Sequence, residues 1–409
     1  MKLHDFLNTS YTAYHATKNV CDMLTNSGFL PLNLGEKWDL TQGGKYFVTR
    51  NDSSVIAFVV GKNKVFNICE SHTDSPSFKV KGNCVIPSCG VNRINTEKYG
   101  GGLLYSYLDR PLKIAGRLLV EGECGVQTQL VVSDYNVVIP SLCVHHNPTA
   151  NDGLSLNAQV DTLPLLGDSD NDVYATLTSD VVLDADLYVV PATQAFVAGA
   201  NNDYLCSARL DNLTSVYTSV QAIANCSAQN IAVVACLDNE EIGSGTRQGA
   251  PSFIQQVLDG VCFALGMDVS QKLYAYENGM ALSVDNGHAV HPAHPEKSDP
   301  VLRVKMNGGV VVKHHTNYAT DGLSSAILKK ILLDNGIAFQ DVYGNSNVRS
   351  GSTLGLVTAR QLGIKVADIG LAQLAMHSAC ETCGNSDVET MQKCLTAFLS
   401  ANVCGSDIK

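Results

Sequence analysis

From Tyr204 onward the chain alternates amphipathic helical stretches with short apolar runs, and no other feature of the sequence constrains the fold as tightly. The spacing of apolar residues predicts helices at Ser215–Asn225, Pro251–Leu258, Asp321–Asp334, Thr353–Leu362 and Val388–Ala401. It predicts strands at Asn230–Leu237, Val261–Met267 and Val366–Leu371. A strand with no polar face, such as Ile231 to Leu237, belongs in a sheet covered on both sides. Helices and strands in turn therefore give an α/β architecture, a mostly parallel sheet flanked by helices. The N-terminal segment fits the same layers. Phe6, Tyr11, Tyr14, Val20, Met23 and Leu24 recur at helical spacing until Asn26-Ser27-Gly28 stops them, and strands are expected at Ser54–Val60 and Lys64–Cys69.

Between Gly82 and Pro191 the texture changes. Short, often β-branched runs at Leu118–Val120, Gln129–Val132, Asn136–Pro140 and Asp186–Val190 are separated by Gly, Pro, Asn and Asp, which predicts a smaller β-rich insert. Within it, Asn147–Asp172 is rich in Asn, Asp and Gly and reads as an irregular excursion or mobile loop. A chain of 409 residues exceeds one small core. We expect residues 1–82 and 199–409 to form one domain in two parts, and 83–198 to form the insert.

Acidic residues outnumber basic ones, giving a formal charge of −11, which excludes nucleic-acid binding by bulk positive charge. No apolar run approaches the ~18 residues that span a bilayer. The start Met1-Lys2-Leu3-His4-Asp5 lacks a basic region followed by an apolar stretch, so a cytoplasmic setting is expected. The 14 cysteines then read as reduced thiols rather than disulfides. Cys380 and Cys383 have CxxC spacing, but no second pair completes a four-thiolate zinc site.

Five segments beside strand ends or Gly-rich turns concentrate His, Asp and Glu: Glu70-Ser71-His72-Thr73-Asp74, Ala208 to Asn212, Asp238 to Ser244, Ser283 to His288, and Leu374 to Ser378. Together they offer the imidazole and carboxylate donors that zinc or a similar divalent metal uses in hydrolysis. Two metals roughly 3.5–4 Å apart need a bridging carboxylate plus terminal ligands, and the residue count suffices. On an extended chain His72 and Asp74 point the same way, so the Asp74 side chain is expected to hold the His72 imidazole. Adjacent Glu240 and Glu241 invite a split between metal ligand and proton acceptor, though spacing alone assigns neither, and in isolation a solvated loop is the better reading. His288, His291 and His294 form the densest histidine cluster, but Pro292 and Pro295 argue against a single ligand face.

These segments resemble the M18 family of metalloaminopeptidases, the aspartyl aminopeptidase group. The likeness is carried by His72-Thr73-Asp74-Ser75-Pro76, Glu97 to Leu103, Asp109-Arg110-Pro111-Leu112, Ala115-Gly116-Arg117, Ala208 to Asn212 and Asn239 to Ser244. It continues through Asp285, His288 to Pro292, Gly351 to Gly355, Asp368-Ile369-Gly370 and Gln373 to Ser378, in order along nearly the whole chain. The resemblance implies a zinc-peptidase-like catalytic domain and a smaller inserted domain for dimerisation that covers a neighbour's active site. It implies two divalent metal ions per subunit, zinc first, with manganese or cobalt as alternatives. Asp211 would bridge them, His72 and Asp285 would complete one site, and Glu241 and His377 the other. Glu240 would be the general base acting on a metal-bridging water, and Asp74 the carboxylate beside the first histidine ligand. His288 and His291 match a family motif without being ligands.

By the same resemblance, His145 in the stretch Ile139 to His145 would reach into an adjacent subunit's site, with His146 as its neighbour and competitor for the role. Tyr318 matches a tyrosine near the substrate. Lys313 is the candidate cation for an acidic substrate side chain, but the stretch Val312 to Asp321 is shorter than the family's and lacks an Arg before Tyr318. Acidic and broader N-terminal preferences both stay open. The expected partners are peptides with a free N-terminus and further copies of the chain, as dimers within a tetrahedral dodecamer. The rival classes are a carboxypeptidase or deacylase on a similar sheet, and a non-enzymatic assembly protein on an old hydrolase fold. Blocking the substrate's N-terminus separates the first pair from an aminopeptidase; every ligand position being filled argues against the last.

Overall fold

The structure is a computed structural model that describes residues 1–168, 172–348 and 351–403. Its centre is a nine-stranded sheet, and the segment Ile231–Leu237 lies deep inside it with all seven residues buried. That strand pairs in parallel with Phe66–His72, which pairs in parallel with Met280–Val284, which pairs in parallel with Lys365–Gly370. Antiparallel strands extend the sheet at its flanks, Ser54–Val59 on one side and Val310–His314 on the other. Helices cover both faces. One face packs Leu213, Val216 and Val220 of helix Leu210–Asn225 with Met391, Leu395 and Phe398 of helix Asp387–Ser400. The opposite face packs Phe253, Val257 and Val261 of helix Ala250–Ala264 with Leu354 and Leu362 of helix Leu354–Leu362. The expected α/β architecture with a mostly parallel sheet is therefore present.

A six-stranded antiparallel sheet forms a second layer, from Ser77–Ser88 to Val182–Pro191, with its own core around Phe78, Ile94, Ile114 and Leu187. A third sheet of five short strands, including Tyr204–Ser207, Ala372–Leu374 and Glu381–Gly384, lies next to the catalytic segments. Among the described residues no helix is long and apolar enough to cross a membrane.

Three local expectations are corrected. The run Val261–Met267 is not a strand: helix Ala250–Ala264 continues through its first half, because Val261 stacks on the buried face of Val257 and Leu258, and Gly266 ends the turn at φ +61°. The opening segment is two helices, Leu3–Thr9 and Ala13–Asn26, broken where Asn19 turns its amide onto the Thr9 and Ser10 hydroxyls. Asn136–Pro140 makes only isolated bridges, Val137 to Leu112, Val138 to Leu165 and Ile139 to Leu108. The excursion 147–172 is mostly turns around one short strand, Leu165–Gly167; its residues 169–171 lie outside the described residues.

Candidate metal centre

The carboxyl ends of parallel strands are where α/β sheets place their chemistry, because the strands stop together and leave a crevice. Strand Phe66–His72 delivers His72 at its last position, with Asp74 two residues beyond. Strand Ile231–Leu237 runs into a tight turn at Glu240–Ile242, entered and left in left-handed conformation by Asn239 (φ +65°) and Gly243 (φ +92°). Strand Met280–Val284 hands over to Asp285. The remaining two come from the small third sheet: Asp211 opens the helix after Tyr204–Ser207, and His377 sits in the turn between Ala372–Leu374 and Glu381–Gly384. The centre lies where two sheets meet.

The five side chains converge. His72 Nε2 lies 3.3 Å from Asp211 Oδ1 and 3.7 Å from Asp285 Oδ1. His377 Nε2 lies 3.7 Å from Asp211 Oδ2 and 3.4 Å from Glu241 Oε1. Asp211 therefore faces one imidazole with each oxygen. Donor atoms of His72, Asp211 and Asp285 lie within 4.8 Å of one another, as do those of His72, Glu240 and Glu241. The geometry brings Glu240 as near to His72 as Glu241, and the approach to His377 distinguishes Glu241.

Both imidazoles are oriented from behind. His72 Nδ1 lies 3.0 Å from the main-chain oxygen of Asp74, and His377 Nδ1 lies 3.0 Å from that of Gly101. A carbonyl only accepts, so each Nδ1 carries a proton and each Nε2 is turned toward the carboxylates, the orientation metal-ligating histidines use. The Asp74 carbonyl makes the hydrogen bond, and its carboxylate stands beside the same nitrogen at 3.4 Å. That carboxylate accepts the N–H of Glu240 (3.1 Å), the N–H of Glu241 (3.1 Å) and the hydroxyl of Tyr99 (2.7 Å). Asp74 thus ties the tip of one strand to the turn after the next. The Glu97-to-Leu103 motif packs against the same turn: Gly100 has φ +70°, and a Cβ there would meet the Glu241 Cβ at 3.1 Å.

Electrostatics mark the cluster as short of positive charge. Burial and the neighbouring carboxylate of Asp285 raise the Asp211 carboxyl, and burial with Asp211 and Asp74 holds Glu241 well above the usual range. Burial pushes Glu240 up to about 8, aided by Asp285, Asp74 and Asp211 and opposed by His72. Burial alone would depress the His72 imidazole, yet Asp211, Asp285 and Asp74 hold it well above its ordinary value. Burial works against ionised Asp285 too, and Lys313 with His72 reverses this. Three oxygens, Asp211 Oδ1, Glu241 Oε1 and Asp285 Oδ1, are buried without a hydrogen-bond donor. Unsatisfied buried acceptors are costly. Acceptors of this kind facing two imidazole Nε2 atoms fit divalent cations bound by nitrogen and oxygen.

The other anticipated residues are distributed differently. Lys313 is 2% exposed; its ammonium donates to the Asn286 main-chain oxygen at 2.9 Å and lies 5.4 Å from the Tyr318 ring centre. Lys313, Tyr318 and His288 line one cavity that adjoins the metal centre through Asn286 and Asp285. His145 and His146 are both exposed in the turn 143–147 of the insert, apart from this cluster. His291 and His294 are exposed, their rings 5.3 Å apart and tilted by 38°. Cys380 and Cys383 are free thiols, their pKa values raised by burial. The sequence reading missed Tyr99, Asn286 and Glu381. Asn286, adjacent to Asp285, binds the Leu210 oxygen at 3.0 Å and Gln373 at 2.7 Å, so it joins three of the segments. Its adjacency to Asp285 was the available signal.

Comparison with known proteins agrees with this centre. The sequence matches the family described as Aminopeptidase I zinc metalloprotease (M18) over residues 6–178 and 172–399. It is 37% identical over 421 residues to a probable M18 family aminopeptidase 2 of Clostridium acetobutylicum, the match covering 97% of each chain. In structure it is similar to a chain in the cryo-EM structure of the Ape4 and Nbr1 complex, with a TM-score of 0.91, 31% identity and coverage of 97% of this chain and 84% of that one. It is also similar to the S. cerevisiae mApe1 dodecamer, with a TM-score of 0.82, 25% identity and coverage of 97% and 95%. Since these matches run nearly end to end, the chain belongs to the M18 aminopeptidase family and is a metal-dependent peptide hydrolase.

Proposed function

We propose that this protein removes residues from the free N-termini of peptides with two divalent metal ions, Asp211 shared between them, His72 and Asp285 completing one site and Glu241 and His377 the other. The observation that carries this reading is the set of buried, donorless oxygens on Asp211, Glu241 and Asp285, which face the Nε2 atoms of His72 and His377. Zinc is the first candidate, with manganese and cobalt as alternatives. Bound there, divalent cations would supply Lewis acidity toward the scissile carbonyl and water.

The chain's own groups do the rest. Glu240 takes the proton of the attacking water and passes it to the leaving amine; a carboxyl raised by its surroundings suits proton transfer near neutral pH. Asp74 holds Glu240 and Glu241 in place through their N–H groups. Acidic side chains around the centre receive the substrate's free amine, which restricts cleavage to the terminal residue. The cavity with Lys313 and Tyr318 receives the first side chain. The Lys313 cation is already shared with Asp285, so we expect a preference for Asp and Glu of about tenfold rather than absolute selection.

We assign 83–198 as the dimerisation domain and place His145 in a neighbouring subunit's site within a tetrahedral dodecamer. Its exposure on the insert and the dodecameric relative support this. A cytoplasmic setting completes the reading. The test is a panel of aminoacyl substrates bearing Asp, Glu, Leu or Ala, free and N-acetylated, before and after chelation and with zinc, manganese or cobalt restored. Metal-dependent cleavage of free substrates alone is expected. Cleavage of acetylated substrates would reject the aminopeptidase mechanism, and equal rates across the free panel would reject the acidic preference.

A further inference from the structure

The proposed chemistry leaves one buried carboxylate at the metal centre without a role. Glu381 is 1% exposed and opens the strand Glu381–Gly384, between the two cysteines of the CxxC pair. Its Oε2 accepts the N–H of Asp211 at 2.9 Å, and its Oε1 accepts the N–H of His377 at 2.5 Å. One side chain therefore grips the main chain of two proposed ligands that lie far apart in sequence and face different donors.

Both N–H groups need such a partner. Asp211 follows Arg209, which is left-handed at φ +62°, and is itself non-helical at φ −81° and ψ 106°, so the regular helix starts beyond Asn212 and the Asp211 N–H has no helical carbonyl to bond. A buried N–H left without an acceptor is costly, and Glu381 supplies that acceptor from across the sheet. His377 is itself left-handed at φ +65°, a conformation unfavourable for a residue with a Cβ and held only by its surroundings. The turn from His377 to Glu381 is short, so the carboxylate closes back on its own loop while reaching over to Asp211. Strand pairing fixes the distance between the two, since Glu381 is the register partner of Ser207, just upstream of Asp211.

We propose that Glu381 is a positioning residue that sets Asp211 and His377 at the separation a shared metal ion requires. A carboxylate is the suitable group because each of its oxygens accepts. An amide in its place accepts at one end and turns an NH2 against an N–H at the other. Aspartate keeps the charge and loses the reach to span both. The inference rests on Asp211 and His377 being metal ligands.

The experiment measures zinc affinity by competition with a chromophoric chelator, together with the melting temperature of metal-free protein, for the parent chain and for Glu381→Gln, Glu381→Asp and Asp211→Asn. Glu381→Gln should bind zinc about 10–100-fold more weakly, the loss typical when the groups behind a ligand are removed. Its metal-free melting temperature should fall by a few degrees at most, the cost of an amide facing one N–H donor, with the protein still folded. Glu381→Asp should recover part of the affinity. Parental affinity in Glu381→Gln, with Asp211→Asn weakened, overturns the role of Glu381 and leaves the metal centre standing. Parental affinity in Asp211→Asn overturns both. If both Glu381 variants fail to fold without metal, the carboxylate serves the fold alone and the proposal is overturned.

Discussion

Asp368 on the central sheet and the acids gathered where that sheet meets the third one differ in how their oxygens are used. Asp368, on the strand Lys365–Gly370, is fully buried. Its carboxylate accepts the N–H of Ala319 at 2.7 Å and of Thr320 at 3.1 Å, and the hydroxyls of Thr320 and Thr353. Each of its oxygens has a partner, and together they fasten the loop carrying Tyr318 and the start of helix Leu354–Leu362. Asp211, Glu241 and Asp285 are buried as well, yet each keeps one oxygen without a donor. Burial and acidity are common to both groups, so neither identifies a functional site. A donorless oxygen alone does not either, since Glu70 Oε1 on the same sheet has no donor; what sets the metal group apart is that its donorless oxygens converge on the Nε2 atoms of His72 and His377.

Substitutions at the two kinds of acid should act differently. The largest effect is expected at Glu240: Glu240→Gln should lower kcat by about 10²–10⁴, the usual contribution of a general base. Bound metal, measured by elemental analysis, should stay at the parental level. Metal loss in this variant would make Glu240 a ligand and redraw the site. Next, Asp368→Asn should cost about 2 kcal/mol in urea unfolding, since it turns a charge-assisted acceptor into an amide facing N–H donors. Its metal content should not change; if metal is lost, the line between the satisfied and unsatisfied groups disappears.

A smaller effect is expected at Lys313. Lys313→Met should lower the Asp-over-Leu ratio of kcat/KM about tenfold, roughly 1.4 kcal/mol, by removing the cation that adjoins the Tyr318 cavity. The smallest belongs to a half-exposed cluster on the outer strand, where Asp341 meets Lys329 at 2.6 Å and His314 at 2.8 Å. Partial burial works against ionised Asp341, and the hydrogen bonds from Lys329 and His314 hold its pKa below the ordinary 3.8. A depressed carboxylate stabilises the fold above its unfolded-state pKa and loses that contribution as pH falls through the folded one. Asp341→Asn should therefore cost about 0.5 kcal/mol at neutral pH and nothing in strong acid, which urea titrations at several pH values would check. A cost that persists in acid would mean packing, not charge, holds the cluster.

Much of the fold can be read from local pattern. The run Ile231 to Leu237 is apolar without a break, and only a strand covered on both faces accepts it. The run Val261 to Met267 is equally apolar but ambiguous, because a continuous apolar stretch satisfies a helix and a strand alike. Contacts decided it: Val261 and Cys262 extend the face already set by Phe253, Ile254 and Val257. Asn136 to Pro140 carries strand-like residues that find only single bridges, since pairing depends on a neighbour that the residues themselves do not name.

The site divides in the same way. Residue type and chain order point to five segments rich in His, Asp and Glu at strand ends, and only the resemblance to the M18 family picks His72, Asp211, Glu240, Glu241, Asp285 and His377 out of them. What sequence alone determined is thus the α/β layering and the segments that carry imidazoles and carboxylates, both written in short-range pattern and residue chemistry. Which oxygens stay unpaired, that Asp74 grips the Glu240 turn with its carboxylate and His72 with its carbonyl, and that Glu381 reaches Asp211 and His377 were decided by tertiary structure alone. These depend on separations of a few ångströms, some within one turn and others between segments more than a hundred residues apart, and a hydrogen bond distinguishes 3 Å from 4 Å where a sequence pattern cannot.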